Sequence, residues 1–249
     1  MNQKSQQLIQ ILKDLHLPEI RLSYESVAKQ AEQDSLSYEE FLLDLMSREQ
    51  EARRGNKMER TRREAKLNIG KTMESFDLKR FDGKLTQQVK NLLSGDFIAR
   101  KENILAFGNP GSGKTHLLSA ICFELINKGH RPLYVTCEEL VQDLLISKNE
   151  LKLSKHLKRM EKFDIVLLDD IGYVQQNRDQ MEVLFSFLAH RYERGSVMVT
   201  SNLPFSQWEK IFKDPMTTAA AIDRLVHHSV ILEMNVQSYR MHTAKSKAT

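Results

Sequence analysis

The residues Gly108-Asn109-Pro110-Gly111-Ser112-Gly113-Lys114-Thr115 have the types and spacing to handle phosphate. They follow the form G-x-x-x-x-G-K-[ST], come after the apolar run Ile104-Leu105-Ala106-Phe107 and open a helix-like run from His116 to Lys128. Glycines let backbone N–H groups turn inward onto phosphate oxygens, because a Cβ would obstruct the turn. The N-terminus of the next helix adds aligned N–H dipoles that favour an anion. Lys114 is expected to reach the β- and γ-phosphates and the Thr115 hydroxyl to complete a Mg²⁺ shell, with His116 in the first helical turn. The pattern predicts a nucleoside triphosphate site; a glycine-rich turn with an incidental lysine is the competing reading.

Three further groups could act on such a ligand. Ile165-Val166-Leu167-Leu168-Asp169-Asp170 is an apolar strand running into two carboxylates, the Walker B pattern. Asp169 would orient the Mg²⁺ shell and Asp170 would serve as general base toward water. Asp is one methylene shorter than the Glu often found at the second position, so slow hydrolysis is expected. Asn202, after Val197-Met198-Val199-Thr200-Ser201, is placed to sense the γ-phosphate or the attacking water, against the reading of a turn-forming Asn before Leu203-Pro204. Arg224, in Ala221-Ile222-Asp223-Arg224-Leu225, is the first candidate for an arginine finger, with Arg191 and Arg194 behind it. A salt bridge between Arg224 and Asp223 or another acid is the alternative.

Strand-and-helix alternation must position these groups. Short apolar runs at Ile104–Phe107, Pro132–Thr136, Asp164–Leu168, Val197–Thr200 and Ser229–Glu233 suit strands buried on both faces, and the segments between them imply parallel crossovers. Parallel α/β sheets collect ligands at the carboxyl ends of their strands. Upstream, Leu8, Ile11, Leu12 and Leu15 lie at helical spacing over residues 5–16, and Pro18 ends that run. A second helix is expected over residues 22–33. Ser37 and Glu40 form a capping box for a third, with Phe41, Leu42, Leu45 and Met46 as its apolar face. That gives a helical N-terminal domain over residues 1–66, a connector over residues 67–103 anchored by Phe76 and Phe81, and an ATPase domain over residues 104–249.

Of 249 residues, 41% are hydrophobic and 28% charged, which allows a packed core and argues for a soluble chain. No apolar run approaches the ~18 residues of a membrane span. Met1-Asn2-Gln3-Lys4-Ser5 lacks the apolar core of a signal peptide, so a cytoplasmic address and no membrane partner are expected. Cys122 and Cys137 make no Cys-x-x-Cys pair, and adjacent His227-His228 make a poor metal pair. The net charge of +4 is unevenly spread: residues 48–66 hold eight Lys/Arg against four acids, and residues 148–162 hold six against two. Arg53, Arg54, Lys57 and Arg60 fall in the first patch. Lys148, Lys152, Lys155 and Arg159 recur in the second at three- to four-residue spacing, as one basic helical face would. Without interleaved aromatics these patches point to DNA phosphates with little sequence preference and strong salt dependence. A solvated charged helix is the plainer alternative.

The order Phe76-Asp77, GNPGSGKTHLL, DIVLLDDIG, RYERGSVMVTSNLPF and AIDRLVHHSVILEM, after an Arg-rich helical segment, closely resembles the IstB-like helper ATPases of bacterial insertion sequences. These are relatives of DnaC-type helicase loaders in the AAA+ group, and the resemblance covers residues 40–235. It implies an α/β fold, an AAA+ P-loop three-layer parallel sheet, with Lys114, Thr115, Asp169, Asp170, Asn202 and Arg224 in the roles above. It also implies ATP and Mg²⁺ as cofactors, an ATP-dependent homo-oligomer on duplex DNA, and delivery of that DNA to a partner transposase. Only Asn235 to Thr249 follow the last expected strand, so no full C-terminal lid is expected. A helicase loader acting on single-stranded DNA is the nearest alternative function. A small-molecule phosphate-loop kinase would need a lid that supplies arginines, which no segment provides.

Overall fold

The computed structural model describes residues 3–172, 177–212 and 214–239. The chain divides into two compact units, Met1–Arg60 and Thr61–Thr249, so the expected connector falls inside the second unit.

The first unit contains α1 (Gln3–Asp14), α2 (Pro18–Gln33) and most of α3 (Tyr38–Glu64). Pro18 does two jobs: it cannot continue α1, and its fixed φ suits the first position of α2, which therefore starts earlier than residue 22. Ser37 and Glu40 exchange the capping bonds, with Ser37 N donating to Glu40 Oε2 (2.8 Å) and Glu40 N to Ser37 Oγ (3.2 Å). Leu12, Ile20, Val27 and Leu45 form the core, with Phe41 packed on it. The expected apolar faces are only partly used: Leu8, Ile11, Leu15, Leu42 and Met46 are exposed. At the next buried position of α3, one turn after Leu45, stands Glu49, which turns to α2. Its carboxylate accepts from Glu19 N (2.8 Å) and Ile20 N (3.2 Å) and from Arg53 Nε (2.8 Å). Burial opposes the charge, but the Arg53 guanidinium and the two amides hold the Glu49 pKa below the usual carboxylate value.

In the second unit α4 (Gly83–Ser94) and α5 (Asp96–Ala99) precede β1 (Asn103–Phe107), α6 (Lys114–Asn127), β2 (Pro132–Thr136) and α7 (Cys137–Asn149). Then come α8 (Leu153–Met160), β3 (Ile165–Ile171), α9 (Arg178–Arg191), β4 (Ser196–Ser201), α10 (Glu209–Phe212), α11 (Pro215–Val226) and β5 (Ser229–Glu233). All strand pairs are parallel, in the order β2-β3-β4-β1-β5. Alternate residues serve opposite faces: Leu105, Val166, Leu168, Val197 and Val199 join one core, Ile104, Ala106, Ile165, Leu167 and Met198 the other. Helices cover both faces, giving three layers. Leu85, Val89, Leu92, Phe97 and Ile98 of the segment expected as a connector are buried in the second core. Cys122 and Cys137 are buried and joined by no disulfide.

Two local expectations are corrected. β3 runs on to Ile171, so Asp169 and Asp170 lie within it at a bulge rather than beyond its end. The basic run is not one helical face: α7 ends at Asn149, Leu151 has a φ of +56°, and α8 starts at Leu153. Lys148 instead pairs with Asp179 and Glu182 (3.4 and 2.9 Å), and Lys152 with Glu150 (2.9 Å). Lys155 and Arg159 remain exposed on α8, whose Leu157 and Met160 are buried.

Arg191 is removed from the finger role. Its buried guanidinium donates to the carbonyls of Met160, Phe163, Asp164 and Ser196 (2.9–3.3 Å), tying the ends of α8, β3 and β4 together. Burial lowers its pKa to about 10, which leaves it charged at neutral pH. A Cβ on Gly195 would lie 2.3 Å from Nη2, and the guanidinium has no slack while all four carbonyls hold it. Gly195→Ala is therefore expected to cost about 2 kcal/mol of overpacking strain, read as a lower melting temperature of the second unit. An unchanged melt would mean that Arg191 can move.

Candidate nucleotide site

The loops after β1, β3 and β4 meet at one edge of the sheet, where neighbouring strands bring residues distant in sequence side by side. The loop after β1 turns into α6 through Gly113, whose φ of +103° lies in the left-handed region and whose Cβ would stand 3.0 Å from the Phe76 ring. Lys114, almost fully buried, donates from Nζ to Gly108 O (2.8 Å), Asn109 O (3.1 Å) and Asn202 Oδ1 (2.6 Å). Asn202 is thus brought to the lysine from the end of the neighbouring strand, β4. Ser112 Oγ is buried with no hydrogen-bond partner among the described residues.

Thr115 and Asp169 come together, with Thr115 Oγ1 donating to Asp169 Oδ1 at 2.8 Å. Two residues that the motif reading missed complete that carboxylate: Thr200 Oγ1 donates to Oδ1 (2.6 Å) and the Tyr134 hydroxyl to Oδ2 (2.9 Å). Thr200 Oγ1 also accepts from Asp170 N (2.8 Å). Thr200 carried a signal, as a polar residue at the carboxyl end of a buried strand; Tyr134, in the middle of a short strand, carried none. Asp170 is exposed and has a φ of +58°, a backbone state uncommon outside glycine.

These groups open onto a cavity of about 560 Å³ lined on one side by Lys114, Thr115, Asp170 and Asn202 and on the other by Lys71, Phe76, Arg80 and Tyr239. Pro110, Gly111, Gly113 and His116 line it as well. His116 Nε2 lies 3.1 Å from both Thr72 O and Ser75 Oγ, and its ring meets the edge of Phe76. Burial lowers its pKa, so the imidazole is neutral at neutral pH. The chain after β5 crosses the glycine loop, where Tyr239 N donates to Gly111 O (3.0 Å). Arg80 donates to Gln237 O (2.6 Å) and lies over the Tyr239 ring.

The residues fit a triphosphate with Mg²⁺. The loop needs glycine at Gly108, Gly111 and Gly113, where φ is positive and a Cβ would meet Met234 O, Ser238 Oγ and the Phe76 ring. Lys114 Nζ donates to the neutral oxygens of Gly108, Asn109 and Asn202, and the Thr115 hydroxyl donates to Asp169, which leaves an oxygen lone pair for a cation. Among the described residues there is no cluster of three His, Cys, Asp or Glu that would compete as a metal site.

Arg224 does not line this cavity. It lies near the start of β1 and β5, in a separate cavity of about 180 Å³ with Lys101, Asn103 and His228. Its Nη1 donates to Ala220 O (2.9 Å) and its guanidinium covers the Phe185 ring at 4.8 Å. The five residues of β1 separate the two ends by roughly 16 Å, so Arg224 does not reach its own chain's site. In the first unit Arg53 serves Glu49 and His16 and Arg54 is exposed; in the second, Lys148 serves α9, and Lys155 and Arg159 are exposed.

A sequence model of the family described as IstB-like ATP binding protein matches residues 10–248. The chain is 41% identical over 235 residues to an insertion sequence ATP-binding protein of Sinorhizobium fredii, covering 94% of this chain and 79% of that one. It is 34% identical over 231 residues to the insertion sequence IS21 ATP-binding protein of Pseudomonas aeruginosa, covering 93% and 87%. AMPPCP-bound DnaA from Aquifex aeolicus superimposes with a TM-score of 0.58 at 19% identity, over 74% of this chain and 56% of that one. A DnaC helicase loader does so with a TM-score of 0.58 at 16% identity, over 68% and 98%. At such identities these two show the fold alone, and it is the AAA+ fold. The motif order and the matches across nearly the whole chain make this protein a member of the family of IstB-like ATP binding proteins.

Proposed function

We propose that this protein is a Mg²⁺-dependent ATPase that assembles with copies of itself on duplex DNA and delivers that DNA to a transposase. One observation carries the reading: Lys114, the Thr115–Asp169 pair and Asn202 converge on one cavity, while the best finger arginine stands at the opposite end of the sheet. A lone chain then has a binding site but an incomplete hydrolytic one.

The residues divide the work as follows. The glycine loop and Lys114 hold the β- and γ-phosphates, Lys114 exchanging its carbonyl partners for phosphate oxygens. When bound, Mg²⁺ neutralises charge on the phosphate oxygens. Thr115 and Asp169 would hold it, the Thr115 hydroxyl being oriented by its bond to Asp169. Asp170 takes the proton of the attacking water, and Asn202 orients that water or the γ-phosphate. Arg224 of a neighbouring copy stabilises charge on the transferred phosphoryl group. Tyr239 and Arg80, which line the cavity, cover the bound nucleotide from the side of the chain that follows β5.

The DNA-facing groups are the helical segment through residue 66, with Arg54, Lys57 and Arg60, and α8, with Lys155 and Arg159. The proposed place of action is the cytoplasm, and no helix among the described residues is long and apolar enough to cross a membrane. Both basic segments lack aromatics for base stacking, so binding should follow phosphate neutralisation. Lys155→Ala with Arg159→Ala is expected to flatten the slope of log affinity against log salt by about two. Lys148→Ala, which removes an ion-paired lysine, should leave that slope as it is. Equal slopes for all variants would take α8 out of the interface.

The direct test is to follow assembly on duplex DNA by electron microscopy or sedimentation, with ATP and with ADP, for the wild type and Lys114→Ala. ATP-dependent assembly lost in the variant is the expected result; assembly indifferent to nucleotide would overturn the mechanism. Capture of a replicative helicase instead of a transposase would favour the loader reading.

A further inference from the structure

The geometry points to Tyr134 as a positioning residue for the Asp169 carboxylate and, through it, for the metal-binding hydroxyl of Thr115; the inference rests on the nucleotide-site reading above. A carboxylate offers about four lone-pair positions. Here Oδ1 receives Thr115 and Thr200, and Oδ2 receives Tyr134, so three are taken by hydroxyl donors and one is left for a water on the cation. The two threonines share one oxygen and act on one side of the group. Without a donor on Oδ2, the carboxylate can turn about its terminal torsion, which is broad and roughly two-fold. The Thr115 proton would then lose its fixed acceptor, and the Thr115 lone pair its fixed direction.

Tyr134 is built to stay in place. It belongs to β2, the edge strand beside β3, and is in register with Leu167, two residues before Asp169. The outward N–H of this edge strand is satisfied by the chain just after α3, as Tyr134 N donates to Ala65 O at 2.8 Å. Ala65 is fully buried, and Glu64 beside it takes Arg131, the residue just before this strand, at 3.0 Å. The ring packs against the core that contains Ile165 and Leu167. The hydroxyl donates to Asp169 Oδ2 at 2.9 Å. Partners behind a metal ligand of this kind are worth about 10- to 100-fold in metal affinity or activity.

The experiment measures the affinity of a fluorescent ATP analogue with Mg²⁺ and with EDTA, and the Mg²⁺ concentration for half-maximal ATP turnover, for wild type and Tyr134→Phe. The expected result is unchanged affinity in EDTA, which also reports intact folding, with a Mg²⁺-dependent gain in affinity about tenfold smaller and a half-maximal Mg²⁺ concentration about tenfold higher. A Tyr134→Phe protein with the full Mg²⁺-dependent gain and the wild-type midpoint would overturn the assignment of Tyr134 alone. A wild type with no Mg²⁺-dependent affinity would instead overturn the nucleotide-site reading itself.

Discussion

Arg224→Ala is expected to lower ATP turnover by about 10³-fold while nucleotide affinity stays at the wild-type value. The separation follows from geometry: Arg224 lies by the start of β1 and the phosphate loop follows its end, so the arginine touches nothing that holds nucleotide in its own chain. Its contacts are the Ala220 carbonyl and the Phe185 ring, both within reach of a partly exposed side chain, so its loss leaves no buried charge unpaired. Mixing distinguishes action across an interface from a structural role. Arg224→Ala and Lys114→Ala subunits are each inactive alone, but a mixed assembly pairs an intact Lys114 with an intact Arg224 at some interfaces. Turnover recovered on mixing supports the trans finger; turnover that stays at the background of either variant, or Arg224→Ala alone at the wild-type rate, removes Arg224 from that role.

The second large effect is at Lys114. Lys114→Ala should weaken ATP binding by about 100-fold or more, because charge-assisted bonds to phosphate are worth roughly 1.5–3 kcal/mol each and the lysine is expected to make two. Isothermal titration with ATP checks this. The free protein also changes, since Gly108 O, Asn109 O and Asn202 Oδ1 lose a shared donor. A melting curve is therefore read beside the titration: lost affinity with a retained melt is a site effect. Wild-type affinity in Lys114→Ala would dissolve the proposed site, whatever the behaviour of Arg224.

The glycine loop, the apolar strands and the Asp169-Asp170 pair were legible because each is a local signal. A tight turn needs glycine, a strand buried on both faces needs an unbroken apolar run, and a pair of carboxylates directly after such a run stands out. Asn202 was legible for the same reason. The basic run was misread because spacing alone cannot show that Leu151 takes a left-handed φ and splits α7 from α8. Arg53 was read as a DNA contact and Arg191 as a lesser finger candidate, because the sequence shows neither the buried Glu49 nor the four carbonyls that hold them.

By itself, then, the sequence determined the parallel α/β class, the phosphate loop and the order of acidic and polar groups at the strand ends, since these rest on contacts or conformations within a few residues. Only the tertiary structure decided that Tyr134 and Thr200 complete the Asp169 carboxylate, and that Arg224 is out of reach of its own loop. Strand order β2-β3-β4-β1-β5 is the physical reason. It places Tyr134 and Thr200 on the two neighbours of Asp169's strand, and parallel pairing puts the residues that begin strands at the far edge from the phosphates.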